Sequence, residues 1–276
     1  MAKETTASSS KRCWLPVGAG TSLLALDAGA TPGFPGEEAS AREQTEVLRT
    51  ELVELQARLY AESRQRLLVV LQAMDTGGKD GVIRKVFSGV NPLGVKVARF
   101  ERPTEAELSH DYLWRVHPHV PANGEIVIFN RSHYEDVLVV RVNALVPKAR
   151  WQRRYDHIRD FERLLADEGT TIVKFYLHID RDEQARRLQA RLDDPQRQWK
   201  FDPHDLEQRK HWNAYMLAFR DAIVETDRKR APWYTIPANH KWYRDWAVMN
   251  ILVRTLRNMN PRFPAPTIDP VTITIT

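Results

Sequence analysis

The sequence predicts an α/β fold, in which a parallel sheet of five strands is covered by helices on both faces. Five short apolar segments along the chain are typical of buried or half-buried strands. Segments with apolar residues at helical spacing separate them, and this alternation is typical of a parallel sheet. One strand also runs directly into a glycine-rich turn and a helix, over residues 67–87. Ligands of such sheets bind at the carboxyl ends of the strands.

The amino-terminal part combines an irregular arm with a long helix. Residues 1–36 are rich in Ser, Thr, Gly, Ala and Pro. We expect Met1–Arg12 to be disordered and Trp14–Phe34 to form an ordered but irregular arm. A helix from about Glu37 to Arg64 is predicted because four leucines recur at helical spacing, namely Leu48, Leu52, Leu55 and Leu59. We interpret this stripe as core packing.

The remaining elements follow in alternation, within a main domain predicted over residues 37–260. After the first strand at Leu67, further strands are predicted at Val95–Phe100, Ile126–Phe129, Ile172–Leu177 and Trp233–Ile236. Further helices are predicted at Val82–Phe87, Pro147–Glu168, Asp182–Leu192, Asp205–Thr226 and Lys241–Met259. Asp180 and Glu183 resemble a capping box. The tail over residues 261–276 is expected to be peripheral.

Composition limits the possible partners and compartments. The net charge is +5 and the isoelectric point is near 9.3, which suits a polyanionic partner. Cys13 is the only cysteine, so an intramolecular disulfide is excluded and a reducing cytoplasm is favoured. No apolar stretch approaches the length of a membrane span. We therefore expect a cytoplasmic protein that does not bind membranes.

The turn Met74–Gly81 has the layout of a phosphate-binding loop. Its glycines allow backbone N–H groups to surround a phosphate, and the following helix and Lys79 add positive charge. Ala73 replaces the first glycine of the standard pattern, and Asp80 replaces the hydroxyl residue that holds Mg²⁺. Asp75 places a carboxylate in the loop. This carboxylate would repel a bound phosphate unless a metal lies between them or unless it orients an incoming acceptor phosphate. We expect Mg²⁺ here; the alternative is an ordinary strand–turn–helix connection.

A second group of polar residues, Phe129–Asp136, directly follows a buried strand. Arg131 can bind a phosphate with its planar guanidinium group, and Glu135 can bind Mg²⁺, a nucleobase or an acceptor group. The alternative is a helix start with Ser132 as N-cap and Glu135 as its capping-box partner. Both interpretations are compatible, because a cap does not occupy Arg131.

A basic stretch from Arg186 to Lys200 suggests a lid over residues 186–212. Arg187 and Arg191 share a helix face, and Asp193–Pro195 breaks the helix. A mobile helix that closes arginines over a phosphoryl group is the functional interpretation, and a solvated helix face is the alternative.

Two further segments follow predicted strands. Arg102, after the second strand, is expected to point at the active edge of the sheet. After the last strand, Asn239 or Lys241 could contact a base or phosphate, although a helix start with aromatic packing is favoured there. The histidines show no spacing typical of metal ligands.

Taken together, these motifs resemble polyphosphate kinases of the second family, in the subgroup that acts on nucleoside mono- and diphosphates. The resemblance covers roughly Trp14 to Met259. It is carried by Met74–Gly81, Phe100–Thr104, Leu108–Asp111, Phe129–Asp136, Leu192–Pro195, Trp199–Phe201, Ala231–Tyr234 and Pro237–Tyr243.

The resemblance implies a P-loop kinase fold similar to thymidylate kinase. It also implies reversible, Mg²⁺-dependent phosphoryl transfer from inorganic polyphosphate to AMP or ADP, giving ADP and ATP. The phosphate-binding residues implied are Asp75, Thr76, Gly77, Gly78, Lys79 and Gly81, with Arg102, Asn130 and Arg131 facing them and Arg187, Arg191 and Lys200 as lid cations.

One difference within the family bears on the acceptor and on the metal. Other subgroups commonly carry Asp where Asn130 stands and Asn where Glu135 stands. We therefore link Glu135 to acceptance of monophosphates, and Asp75 becomes the candidate metal ligand.

The sequence also allows predictions about the path of the polymer and about two alternative functions. A basic channel for polyphosphate could be lined by the lid cations together with Arg153, Arg154, Arg159 and Arg163. One rival is an ATP-dependent nucleoside or nucleotide kinase on the same fold. The other is a nucleic-acid-binding P-loop protein, which the absence of a clustered basic tail disfavours. A homo-oligomer is expected.

Overall fold

The computed structural model describes residues 12–34 and 36–268, together with Ile273 and Ile275. Its strands form one sheet in the order β2-β3-β1-β4-β5, and every pairing is parallel. The strands are β1 (Arg66–Ala73), β2 (Val95–Arg99), β3 (Ile126–Asn130), β4 (Thr170–His178) and β5 (Trp233–Pro237). The predicted α/β class with a five-stranded parallel sheet is confirmed.

Helices fill the connections between the strands. Within the described residues they are α1 (Glu38–Glu62), α2 (Lys79–Val86), α3 (Glu105–Leu108), α4 (Val139–Val142), α5 (Lys148–Asp167), α6 (Arg181–Leu192), α7 (Pro203–Lys210), α8 (Trp212–Thr226) and α9 (Lys241–Met259). No helix among them is long and apolar enough to cross a bilayer.

The prediction of one helix over Asp205–Thr226 is wrong. Asp202 caps a helix that begins at Pro203, and at His211 the backbone turns to ψ 20° before α8 begins. Leu206 is the only large apolar residue of the first helix, so apolar periodicity gave no signal for a break at His211.

The core lies on both faces of β1, the central strand. Leu67 to Leu71 are fully buried, because parallel strands between two helical layers meet no solvent. The helices α1 and α9 pack against each other, and α5 packs against β4 and α8.

The segment from Trp14 to Phe34 runs along the β5 side of the sheet. Leu15 pairs antiparallel with Thr235 of β5, and the Tyr243 hydroxyl donates to the carbonyl oxygens of Cys13 (2.9 Å) and Pro32 (2.7 Å). Residues 1–11, expected to be disordered, lie outside the described residues. In the tail, residues 261–268 form neither helix nor strand.

Candidate active site

The glycine-rich turn connects β1 to α2 at the carboxyl edge of the sheet. Thr76 and Gly78 adopt positive φ angles of 62° and 106°, and the Gly77 N–H donates to the Met74 carbonyl oxygen at 2.9 Å. Glycine is needed at position 78, because a Cβ there would overlap the guanidinium group of Arg244. A non-glycine residue held at positive φ, such as Thr76, is typical of functional sites.

Lys79 begins α2 and folds back over the turn. Its Nζ donates to the Ala73 carbonyl oxygen at 3.0 Å, and the residue is only 9% exposed. Burial and the positive charge of Arg131 lower the pKa of Lys79, whereas Asp75 and Glu135 oppose this change. A phosphate bound in the loop would stabilise the charged form of this buried lysine.

Arg131 connects the end of β3 to the loop. Its φ angle is 62°, its N–H donates to the Leu71 carbonyl oxygen at 3.1 Å, and Nη2 lies 2.9 Å from Asp75 Oδ1. The loop carboxylate and the arginine of the second motif are therefore a direct ion pair, and 40% of the Arg131 side chain stays exposed.

Asn130 and Asp80 form a second link between β3 and α2. Asn130 donates from Nδ2 to Asp80 Oδ1 at 2.8 Å. Burial raises the pKa of Asp80, but the hydrogen bond from Asn130 and the positive charge of Lys79 outweigh burial and hold that pKa below its usual value. Asp80 is therefore ionised near neutral pH.

Glu135 lies in a short 3-10 helix, His133–Asp136, rather than in the first turn of an α-helix. Ser132 Oγ accepts from the Tyr134 N–H at 3.2 Å, so the predicted capping box with Glu135 is wrong. Burial raises the pKa of the Glu135 carboxyl group, and Arg131 and Lys79 act against it. The Glu135 carboxyl group is therefore close to both cations.

Helix α6 brings Arg187 against the back of the loop. Arg187 Nη1 donates to the Thr76 carbonyl oxygen at 3.0 Å, and Nη2 donates to the carbonyl oxygens of Ala238 (2.5 Å) and Asn239 (3.2 Å). Its Nε donates to Glu183 at 2.5 Å. These bonds occupy most of its donors, so Arg187 holds the loop backbone in place as well as supplying charge.

The capping box predicted at the start of α6 forms only in part. Asp180 Oδ1 accepts from the Glu183 N–H at 2.7 Å, but the Asp180 N–H donates to Asn239 Oδ1 at 3.2 Å.

The segment after α6 returns toward the site. Arg191 Nη1 donates to the Lys200 carbonyl oxygen at 3.1 Å and lies 3.3 Å from Asp205 Oδ2. Burial and the negative charge of Asp75 raise the pKa of Asp205 to about 6. Lys200 is exposed and adds positive charge near Asp80.

Two residues near the loop were not predicted from the sequence, and one predicted residue makes no polar contact there. Asp205 and Arg244 reach the loop from α7 and α9, and no local pattern marks either of them. Arg102 is exposed, without a hydrogen bond or ion pair to any described residue.

The four arginines of α5 that were predicted to line a channel do not form a free basic surface. Arg154 and Arg163 pair with Asp136 (2.7 Å) and Asp160 (3.1 Å), Arg159 pairs with Asp156, and Arg153 donates to the Ala149 carbonyl oxygen at 3.2 Å. The expectation of a channel along α5 is not supported, because carboxylates neutralise most of this face.

The chain is similar to known proteins over most of its length. Residues 36–264 match the family model for polyphosphate kinase 2. An AMP/ADP-polyphosphate phosphotransferase from Meiothermus ruber is 59% identical, over 88% of this chain and 91% of that protein. An ADP-polyphosphate phosphotransferase from Rhodopseudomonas palustris is 43% identical, over 80% and 82%. The crystal structure of polyphosphate kinase 2 from Arthrobacter aurescens TC1 superposes with a TM-score of 0.89 at 43% identity, covering 92% of both chains.

Proposed function

Because the chain belongs to the polyphosphate kinase 2 family, we propose that its phosphate loop transfers phosphoryl groups from inorganic polyphosphate to AMP and to ADP. The chain is a polyphosphate-dependent nucleotide kinase, a phosphotransferase with a P-loop kinase fold. We propose in addition which residues perform the transfer. The contact between Arg131 and Asp75 supports this assignment, because it brings a cation and a carboxylate together at the loop.

The residues of the site bind phosphate, neutralise its charge or position the loop. The loop backbone over Thr76–Gly78 and the Lys79 ammonium group hold the transferring phosphates. Arg131 neutralises the charge that spreads over the phosphoryl oxygens, and Arg187 fixes the loop from behind. Phosphoryl transfer depends mainly on positioning and charge neutralisation, so no covalent nucleophile is needed.

Glu135 is proposed to recognise the acceptor. Its carboxyl group lies close to Arg131 and Lys79, and burial favours the protonated form of this group. A protonated carboxyl group can donate a hydrogen bond to a phosphate oxygen, whereas an ionised one would repel it. We therefore associate Glu135 with the monophosphate acceptor.

The residues present fit a magnesium ion. Mg²⁺ prefers carboxylate oxygens and commonly keeps water and phosphate oxygens as further ligands. Asp75 remains the candidate from the sequence, and Asp80 is a second, since its depressed pKa keeps it ionised. No group of three potential ligands occurs within the described residues, so these carboxylates would need oxygens from substrate or water to complete the shell. When bound, the ion would neutralise phosphate charge.

Product analysis tests the proposal. The protein is incubated with Mg²⁺, long-chain polyphosphate and either AMP or ADP, without another phosphate donor. We expect ADP and then ATP from AMP, and ATP from ADP. Formation of ATP from ADP alone contradicts the role of Glu135. No product, with turnover when ATP is the donor, would favour an ATP-dependent nucleotide kinase.

A further inference from the structure

The two flanks of the phosphate loop present different charged groups. On the β3 flank, three carboxyl groups surround Arg131, namely Asp75, Glu135 and Asp205. On the β4–β5 flank, Arg187 contacts the Thr76 carbonyl oxygen, and the Arg244 guanidinium group lies against Gly78 and Gly81. A polyanion that extends beyond the loop would meet mainly carboxyl groups on the first flank and mainly arginine side chains on the second.

Lys241 adds a solvent-accessible cation to the β4–β5 flank. It begins α9 and lies three residues before Arg244, so the two side chains share the face of the helix that meets the loop. Arg187 bonds to Ala238 and Asn239, just before this turn. Lys241 itself is exposed and has no hydrogen bond or ion pair with another described residue.

Both arginines of this flank pair with a carboxylate, Arg187 with Glu183 and Arg244 with Asp245, whereas Lys241 pairs with none among the described residues. Arg244 is 4% exposed and uses Nε and Nη2 on the Asp245 carboxylate, at 2.8 and 2.7 Å. Partial burial and the positive charges of Arg187 and Arg244 lower the pKa of Lys241, and the negative charge of Glu183 opposes this change. A bound anion would relieve this repulsion, so the cluster favours an anionic ligand in addition to the phosphates in the loop.

The donor polymer supplies such an anion. A phosphate loop with its lysine holds about two phosphate groups, so the rest of a long chain must continue over a neighbouring surface. We propose that polyphosphate leaves the loop over the first turn of α9, where Lys241 binds a phosphate group beyond those held by the loop. This inference rests on the proposed function and adds the direction in which the donor extends.

The test compares Lys241→Gln with Lys229→Gln. Lys229 is also exposed, but it precedes β5 and lies at the opposite edge of the sheet. We expect Lys241→Gln to raise the KM for long-chain polyphosphate by about threefold to fivefold, the size of a partly exposed charge contact. The KM for tripolyphosphate should rise less, because a short donor does not extend past the loop. Lys241→Arg should restore most of the affinity for the long polymer.

The outcomes separate this inference from the proposed function. Equal KM values for long-chain polyphosphate in the two glutamine variants would overturn the role of Lys241. An equal increase for both donor lengths would also overturn it, since it would place Lys241 at the loop itself. Failure of the wild-type protein to phosphorylate AMP or ADP from any polyphosphate would contradict the proposed function instead. Thermal unfolding of each variant verifies that the fold is retained.

Discussion

Asn130 donates from Nδ2 to Asp80 Oδ1 over 2.8 Å, which joins the end of β3 to the first turn of α2. In P-loop enzymes the strand usually provides a carboxylate and the loop a hydroxyl group, and both serve Mg²⁺. In this chain the carboxylate stands in the loop and an amide stands on the strand. Within this pair the negative charge has moved from the strand to Asp80, so the pair still contains one carboxylate.

A second carboxylate at this position should make stability depend on magnesium. In Asn130→Asp, two carboxylates meet at hydrogen-bond distance, and their repulsion should cost about 1–3 kcal/mol of unfolding free energy. Added Mg²⁺ should recover much of this loss. Thermal unfolding with Mg²⁺ and with EDTA measures the effect, and Asn130→Ala controls for loss of the hydrogen bond alone. If Mg²⁺ raises the Tm of the variant no more than that of the wild type, the prediction is wrong.

Removal of the loop lysine should abolish transfer and leave the fold intact. Lys79→Ala loses the ammonium group beside the phosphates, and we expect kcat to fall about 10²- to 10³-fold. Lys85→Ala, on an exposed position of the same helix, should keep full activity. Circular dichroism and steady-state kinetics check both variants. Retained activity in Lys79→Ala would contradict the assignment of the phosphate loop.

Replacement of Glu135 should change the choice of acceptor. In Glu135→Asn the side chain is shorter and can no longer present a carboxyl group, so kcat/KM for AMP should fall about tenfold more than kcat/KM for ADP. Glu135→Gln, which keeps the length and a hydrogen-bond donor, should retain more of the AMP reaction. Competition between AMP and ADP at limiting polyphosphate gives the ratio directly. Equal losses for both acceptors would mean that Glu135 does not discriminate between them.

The buried pair Lys174 and Glu162 should dominate the stability of the sheet–helix interface. Lys174 Nζ lies 2.6 Å from Glu162 Oε2 and 2.9 Å from the Tyr134 hydroxyl group, with the lysine and glutamate side chains at most 3% exposed. Glu162→Gln removes the counter-charge of a buried lysine and should cost about 3–5 kcal/mol. Urea denaturation measures this loss.

A double variant provides the control for this pair. Lys174→Met combined with Glu162→Leu removes both charges, so its cost should be smaller than the sum of the two single substitutions. Additive costs would show that the two charges do not interact.

Asp136 should make folding stability depend on pH. Burial raises the pKa of Asp136 to about 6, although the Arg154 guanidinium group opposes this. The unfolded value is about 4, so between pH ~4 and ~6 the folded state binds more protons, and the unfolding free energy decreases as pH rises. The full effect is about 2–3 kcal/mol. Asp136→Asn should remove this pH dependence. The unfolding free energy of the wild type minus that of the variant should therefore be larger at pH ~4.5 than at pH ~7. A constant difference would contradict the prediction.

The sequence predicted the sheet well because its signals are local. The apolar run Leu67–Leu71 fixes a buried strand, and the glycines after it fix the turn. Long-range contacts carry no local signal, which is why the approach of Arg244 to Gly78 and of Asp205 to Arg191 could not be predicted. The spacing of Lys241 and Arg244 in the helix was visible, but only the structure shows which face meets the loop.

Arg187 ties the base of α6 to the phosphate loop and to the turn after β5. Helix α6 is therefore anchored to both segments through Arg187, whereas the chain beyond the bend at Asp193–Pro195 lies outside this anchor. Trp199, with 77% of its surface exposed, lies in that outer part of the predicted lid. We expect that a movement confined to this part would exchange substrates without changing the shape of the loop that aligns the reacting phosphates.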